Sequence, residues 1–251
     1  MPKFFVKSNQ INENIITILE TDVNHISNVL RLKIGDKIQV CNEENGINYK
    51  SKIIEMNKEN IKCEILEKIA SNSEAGVHIN ILQGLPKAEK MELIIQKCTE
   101  LGVKEITPVE MERCIVRLDE KSAIKKQERW QKIAEVAAKQ SGRDLIPKIN
   151  RVTNIKNICN MLADYDIVLV PYENEKNTTL KEVLSKLPKK DLKIAIIIGP
   201  EGGFEEEEIK ILEKNNCKIV TLGNRILRTE TVAIAMTSVI LYELADFGGV
   251  Y

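Results

Sequence analysis

Two short stretches carry residue types whose spacing suits chemistry. The first is Ile198-Gly199-Pro200-Glu201-Gly202-Gly203-Phe204, at the end of an apolar run that begins at Ile194. Its three glycines permit unusual backbone angles and let a ligand approach closely. The spacing matches neither G-x-G-x-x-G nor G-x-x-x-x-G-K-[ST]. The helix expected next opens with Glu205-Glu206-Glu207-Glu208. Those carboxylates already complement a positive helix N-terminus and would repel a polyphosphate. An uncharged or cationic ligand fits better; a plain strand-to-helix turn with capping acids is the alternative. The second stretch is Leu222-Gly223-Asn224-Arg225-Ile226-Leu227-Arg228-Thr229-Glu230-Thr231. Gly223 and Asn224 are turn residues, and Thr229 is expected to cap the last helix. Two arginines around an apolar turn suit a flat ligand held beside an anionic partner, or are simply a solvated surface pair.

The elements that must position these loops change character along the chain. In residues 1–70, short alternating runs separated by turns at Gly35-Asp36 and Glu44-Asn45-Gly46 predict a small β-barrel or curled sheet. A short helix or turn is expected over Asn24–Arg31, and residues 71–76 read as a linker. Beyond it the pattern becomes α/β. Strands are expected at Val77–Leu82, Glu105–Val109, Ile167–Val170, Leu192–Ile198 and Lys218–Leu222. Helices are expected at Pro86–Leu101, Ser122–Gln140, Thr178–Leu187, Glu205–Asn215 and Glu230–Ala245, with Pro86 in the first turn of its helix and Gly102 just past the end. Such alternation predicts a mostly parallel sheet covered by helices, with ligands at the carboxyl ends of its strands.

Composition narrows the function. Thirty-seven basic and 37 acidic residues balance, and aromatics are only 4%. That excludes bulk coating of nucleic acid and single-strand binding on aromatic platforms. It does not exclude a local basic face, because residues 112–151 hold eleven basic against six acidic groups. Two histidines, His25 and His78, leave no material for a histidine metal cluster, so no metal is expected. The six cysteines show no C-x-x-C spacing and read as buried free thiols. No signal peptide and no membrane span is visible, so a cytoplasmic setting is expected.

Taken together, the two loops resemble those of the RsmE family of 16S ribosomal RNA methyltransferases. The resemblance extends to Gln83-Gly84-Leu85-Pro86-Lys87, Lys97-Cys98-Thr99-Glu100-Leu101-Gly102-Val103, Glu112-Arg113, Arg129-Trp130 and Ala137-Ala138-Lys139-Gln140-Ser141-Gly142-Arg143. Near the N-terminus it includes His25 with Val29-Leu30-Arg31 and Gly35-Asp36. Val232-Ala233-Ile234 departs conservatively from a family pattern richer in alanine.

The resemblance implies a PUA-like RNA-binding barrel over residues 1–72 and a SPOUT methyltransferase domain with a trefoil knot over 73–251. It implies S-adenosyl-L-methionine as cofactor, a homodimer, and methylation of N3 of uridine 1498 in 16S ribosomal RNA; free RNA and the assembled small subunit both stay open as substrate. Cofactor binding carries over to Gly199, Pro200, Glu201, Gly202, Leu222, Gly223, Ile226, Leu227 and Arg228. For catalysis, Arg228 is expected to stabilise a uracil anion, with Glu230 or Glu201 as base, although a glutamate at a helix start is often only a cap. Arg31, Lys87, Lys90, Arg113, Arg117, Arg129 and Arg143 are expected RNA contacts, each weighed against a solvated surface charge. A ribose 2′-O-methyltransferase of the same superfamily and a non-catalytic ribosome-assembly factor are the competing readings.

Overall fold

The computed structural model describes residues 1–19, 21–70, 73–188, 191–245 and 247 of the 251-residue chain. They form two compact units: Met1–Glu74 with Ala138–Ile146, and Ala75–Ala137 with Pro147–Tyr251. Residues 71 and 72 of the expected linker lie outside the described residues.

The N-terminal unit is a six-stranded curled sheet. Its strands are β1 (Lys3–Val6), β2 (Ile11–Asn12), β3 (Ile15–Leu19), β4 (Lys37–Asn42), β5 (Asn48–Met56) and β6 (Asn60–Ile69), in the order β1-β4-β5-β6-β3-β2. β1 runs parallel to β4, and the other pairs are antiparallel. Alternation sends Ile16, Ile18, Ile38, Val40, Ile53 and Ile61 into one apolar core with Phe4 and Ile26. Register shifts between β5 and β6 at Lys50/Ser51 and Ile53/Glu55 bend the sheet. The short helix expected over Asn24–Arg31 is α1 (Thr21–Asn24) running into a π-helical turn, His25–Val29. His25 packs edge-on to Phe4 at 6.0 Å, which gives it a structural role.

A buried charge cluster ties Ala138–Ile146 to this sheet. Asp144 is 3% exposed, forms an ion pair with Lys3, and accepts a 2.6 Å hydrogen bond from Asn48 Nδ2. The Cys41 thiol donates to the Asp144 carbonyl at 3.0 Å. Arg143, expected on an RNA face, is instead 2% exposed and pairs with Glu74 at 2.7 Å. Glu74 also accepts from the backbone N–H groups of Asp144 and Leu145, so the guanidinium is needed inside the unit. Burial pushes the Cys41 and Cys98 thiols up to about 12, as inert core thiols should be.

The C-terminal unit alternates strand and helix. Its elements are β7 (His78–Gly84), α2 (Lys90–Leu101), β8 (Glu105–Glu110), α3 (Glu120–Ser141, ending in the other unit), β9 (Lys148–Ile149), β10 (Thr153–Asn154), α4 (Ile155–Cys159), β11 (Ile167–Pro171), α5 (Leu180–Leu184), β12 (Lys193–Ile198), α6 (Glu206–Lys214), β13 (Lys218–Val220) and α7 (Thr229–Leu244). All strand pairs are parallel, in the order β10-β8-β7-β12-β11-β13 with β9 beside β8. β12 lies inside the sheet, and its Ile194–Ile198 are buried, as a strand covered on both faces requires. α7 packs against α2, β7 and β12.

Several local expectations are corrected. Pro86 is not in the first turn of α2, which begins at Lys90. The Lys87 N–H is taken by the Glu201 carboxylate and Ala88 has φ +53°, so the chain turns before the helix starts. The helix expected over Thr178–Leu187 is regular only over Leu180–Leu184, behind a Thr179/Glu182 capping box. Gly102 does end α2, with φ +112°. Trp130 is 3% exposed and belongs to the core.

Replacing Asp144 by Ala should leave the Lys3 ammonium only the Gly142 and Arg143 carbonyls and cost about 3–5 kcal/mol, the range for breaking a buried ion pair. Urea unfolding checks this; a loss under about 1 kcal/mol would mean that the cluster is not what holds the segment.

Candidate active site

The glycine loop leaves β12 at the centre of the sheet. Gly203 closes a turn by donating to the Pro200 carbonyl at 2.9 Å and has φ +72°. The carboxylates that follow are committed. Glu205 is the N-cap of α6, and its N–H donates to Glu208 Oε2 at 2.9 Å. Glu208 is 8% exposed, and its other oxygen accepts from the Glu112 N–H at 2.9 Å. Glu205 takes two bonds from Arg113, at 2.7 and 3.2 Å. The helix N-terminus is thus occupied by the chain's own acids, and no anion seat is left there. Arg113, expected on RNA, also donates to the Gly202 carbonyl at 3.1 Å and so braces this loop.

The second loop starts where β13 ends. The chain turns through Gly223 at φ +98° and enters α7, whose N-cap is Arg228. Thr229 is therefore not the cap. Its hydroxyl points inward, donating to the Gly199 carbonyl at 2.7 Å and accepting from Gln83 Nε2 at 2.8 Å. The Arg228 side chain is exposed and has no hydrogen bond or ion pair among the described residues. Ile226 is 91% exposed, an unusual position for a large apolar side chain.

Between the two loops lies a cavity of about 450 Å³, within the range of small-molecule sites. It gathers all nine residues expected to hold the cofactor: Gly199, Pro200, Glu201, Gly202, Leu222, Gly223, Ile226, Leu227 and Arg228. Lys90 also lines it, with Nζ 2.9 Å from Glu201 and 3.6 Å from Glu230. Burial pushes the Glu201 carboxyl up, but hydrogen bonds from Lys90 and the Lys87 N–H outweigh this and hold it below the usual carboxylate range. The Glu201 carboxylate raises Lys90 in turn. Glu230 is only 13% exposed at its side chain, and its Oε2 is buried with no hydrogen-bond partner.

Phe204, the last residue of the first loop, also forms the wall, as do Tyr172 and Glu173, which the sequence reading missed. Tyr172 and Glu173 follow the carboxyl end of β11, so the strand-end rule already pointed there. Arg129 pairs with Glu92 while 64% exposed, and Arg31 is exposed at φ +54°. Neither belongs to this cavity. Among the described residues no group of His, Cys, Asp and Glu is arranged to hold a metal, and no helix is long and apolar enough to cross a membrane.

Comparison with known proteins gives this cleft a lineage. Residues 73–241 match the RNA methyltransferase domain family, and residues 18–66 match the RNA methyltransferase PUA domain. The ribosomal RNA small subunit methyltransferase E of Bacillus subtilis is 36% identical over 97% of this chain and 97% of its own length. The chain belongs to the RsmE family. Among solved structures, the Neisseria gonorrhoeae ribosomal RNA small subunit methyltransferase E bound to S-adenosyl methionine superposes with a TM-score of 0.85 at 29% identity, covering 98% of this chain and 99% of that one. A methyltransferase from Legionella pneumophila in complex with the same cofactor has a TM-score of 0.84 at 29% identity, covering 97% and 98%. The RsmE fold expected from the sequence, a PUA-like N-terminal unit and an α/β methyltransferase unit, is the fold observed.

Exchanging Glu201 for Gln tests the electrostatics of the RsmE cleft. A carboxyl with a depressed folded pKa contributes stability above its unfolded value and loses it as pH falls through the folded one. The melting-temperature gap between wild type and Glu201→Gln should therefore be largest at neutral pH and vanish below the ordinary carboxylate range. A gap independent of pH would rule out the ion pair as its source.

Proposed function

We propose that this protein uses S-adenosyl-L-methionine to methylate N3 of uridine 1498 in 16S ribosomal RNA, acting in the cytoplasm on the assembled small subunit. The observation that carries the reading is one cavity built from both family loops, with the carboxylates of Glu201 and Glu173 in its wall. Close backbone approach fits the cofactor. A Cβ on Gly199 would press on Gly203 and Phe204 at 3.2 Å, and one on Gly202 would come within 2.9 Å of Arg113 Cβ, so a side chain at either position would shift the loop. Glu201 and Glu173 supply negative charge at the wall for a cationic ligand. Bound there, the cofactor supplies a methyl group on a positively charged sulfur, ready for in-line displacement.

This chain's residues must free the N3 electron pair and take its proton. Glu201 is a poor acceptor, because Lys90 and the Lys87 N–H already occupy its oxygens. Glu230 is not among the residues lining the cavity but has the freer oxygen: its buried Oε2 faces Lys90 at 3.6 Å and holds no hydrogen bond. In our reading Glu230 accepts the proton at Oε2. Arg228, unpaired and exposed beside the cavity, donates to the uracil oxygens as negative charge develops. Arg31, Lys87 and Arg129, all exposed, hold RNA phosphates.

The trefoil knot and the homodimer belong to the same proposal. A return of the chain from edge strand β13 to a helix packed on β7 and β12 supports the knot. Val239 and Tyr242, 44% and 69% exposed on α7, support a second copy against that helix.

Hypomethylated small subunits treated with protein and S-adenosylmethionine, then digested for nucleoside mass spectrometry, should yield N3-methyluridine. A 2′-O-methyl product or no methyl incorporation would each overturn the reading. Arg228→Ala and Glu230→Gln should each lower kcat about 10²–10⁴-fold, the usual worth of a positioned acid, base or anion donor. Turnover at the wild-type rate would remove the role of the residue concerned. Tyr242→Glu should convert a dimer to a monomer in sedimentation; an unchanged mass would place the contact elsewhere.

A further inference from the structure

One buried hydroxyl joins three distant parts of the chain at the back of the cavity. Thr229 is 5% exposed and Gln83 is not exposed at all. Thr229 Oγ1 donates to the Gly199 carbonyl at 2.7 Å and accepts from Gln83 Nε2 at 2.8 Å. The same Nε2 donates to the Gly84 carbonyl at 3.0 Å. These bonds tie the end of β7 and the first residue of the glycine loop to the residue after Arg228.

We propose that Thr229 is a positioning residue, a clasp that holds the two cofactor loops at their binding separation before the cofactor arrives. The inference rests on the S-adenosylmethionine reading above. Its physical basis is preorganisation. The Leu222–Arg228 loop contains exposed Gly223, Asn224, Arg225, Ile226 and Arg228, so few of its own contacts fix its distance from Gly199. The clasp fixes it at one end. A helix capped by Thr229 would not need this hydroxyl to point inward; here the cap is Arg228, and the hydroxyl is available to the glycine loop. Without it, the Gly199 carbonyl loses a donor, Gln83 Nε2 loses an acceptor, and binding must itself bring the loops together.

Thr229→Val removes the hydroxyl at nearly constant shape, and Thr229→Ser keeps it. Calorimetry should show S-adenosylmethionine bound on the order of tenfold more weakly by Thr229→Val, and within about twofold of wild type by Thr229→Ser. S-adenosylhomocysteine, which lacks the sulfonium charge, should weaken by the same factor, because the clasp sets loop separation and not charge. Gln83→Leu should weaken both ligands as well, and the double variant should bind no worse than Thr229→Val alone. Thr229→Val with wild-type affinity for both ligands, whatever its melting temperature, overturns the clasp. So does a loss confined to S-adenosylmethionine. Wild-type protein that binds neither ligand instead sinks the cofactor reading on which the clasp depends.

Discussion

Two backbones meet in this protein where no side chain fits. A Cβ on Gly84, at the end of β7, would lie 2.7 Å from the Pro200 nitrogen and 3.0 Å from the Gly199 carbonyl carbon. β7 and β12 are hydrogen-bonded neighbours in register up to Gln83 and Ile198. One residue later their chains must part over the edge of the sheet. With glycine on one side and Gly199-Pro200 on the other, they part while still in contact. The Lys87 N–H then reaches Glu201, and α2 begins only at Lys90, with its ammonium beside Glu201 and Glu230. A bulkier residue at Gly84 would push the glycine loop outward and disturb the cavity wall, the Lys90 pair and the Thr229 contact together.

The charges of the cleft follow from that geometry. Four consecutive glutamates look excessive for one helix start, yet two of them have separate work. Glu205 receives Arg113, and Glu208 closes the capping box while holding the Glu112 N–H. Those bonds draw the segment after β8 onto the glycine loop from one side as Lys90 does from the other. The resulting wall is mixed in charge: carboxylates at Glu201 and Glu173 stand among Lys90, Arg225 and Arg228. The acids at the start of α6 leave no seat for a nucleotide phosphate at that helix end, which is the distinction that the missing phosphate-loop spacing first suggested.

Much of this was legible in the sequence, for identifiable reasons. The buried run into Gly199 marked a central parallel strand, and turn residues after β13 marked the second loop, because ligand sites in such sheets fall at strand ends. Long-range pairing was not legible. Thr229 has the type and place of an N-cap, and only the fold reveals that its hydroxyl faces Gly199. Tyr172 and Glu173 carry no motif and become wall residues only because β11 neighbours β12. Arg143 sits in a basic stretch and is nonetheless buried, since its partner Glu74 lies 69 residues away. β1 and the two-residue strands β9 and β10 are too short, or too atypical in pattern, to stand out by periodicity.

The burial of Arg143 changes how the charge balance reads. Residues 112–151 hold five more basic than acidic groups, which suggested a local face for RNA. Arg143 is committed to Glu74 inside the N-terminal unit, and Arg113 to Glu205 and the glycine loop. Arg129 shares its charge with Glu92. Lys121, Lys125 and Lys132 are exposed on α3, solvated ammonium groups able to attract phosphate but with little power to choose among sequences. Tighter geometry lies at the cavity, which Arg228 lines, and in the N-terminal unit, where Arg31 is held in a left-handed turn. A neutral protein with a few free cations and one closely built cleft can test many RNA surfaces weakly and act on a single one.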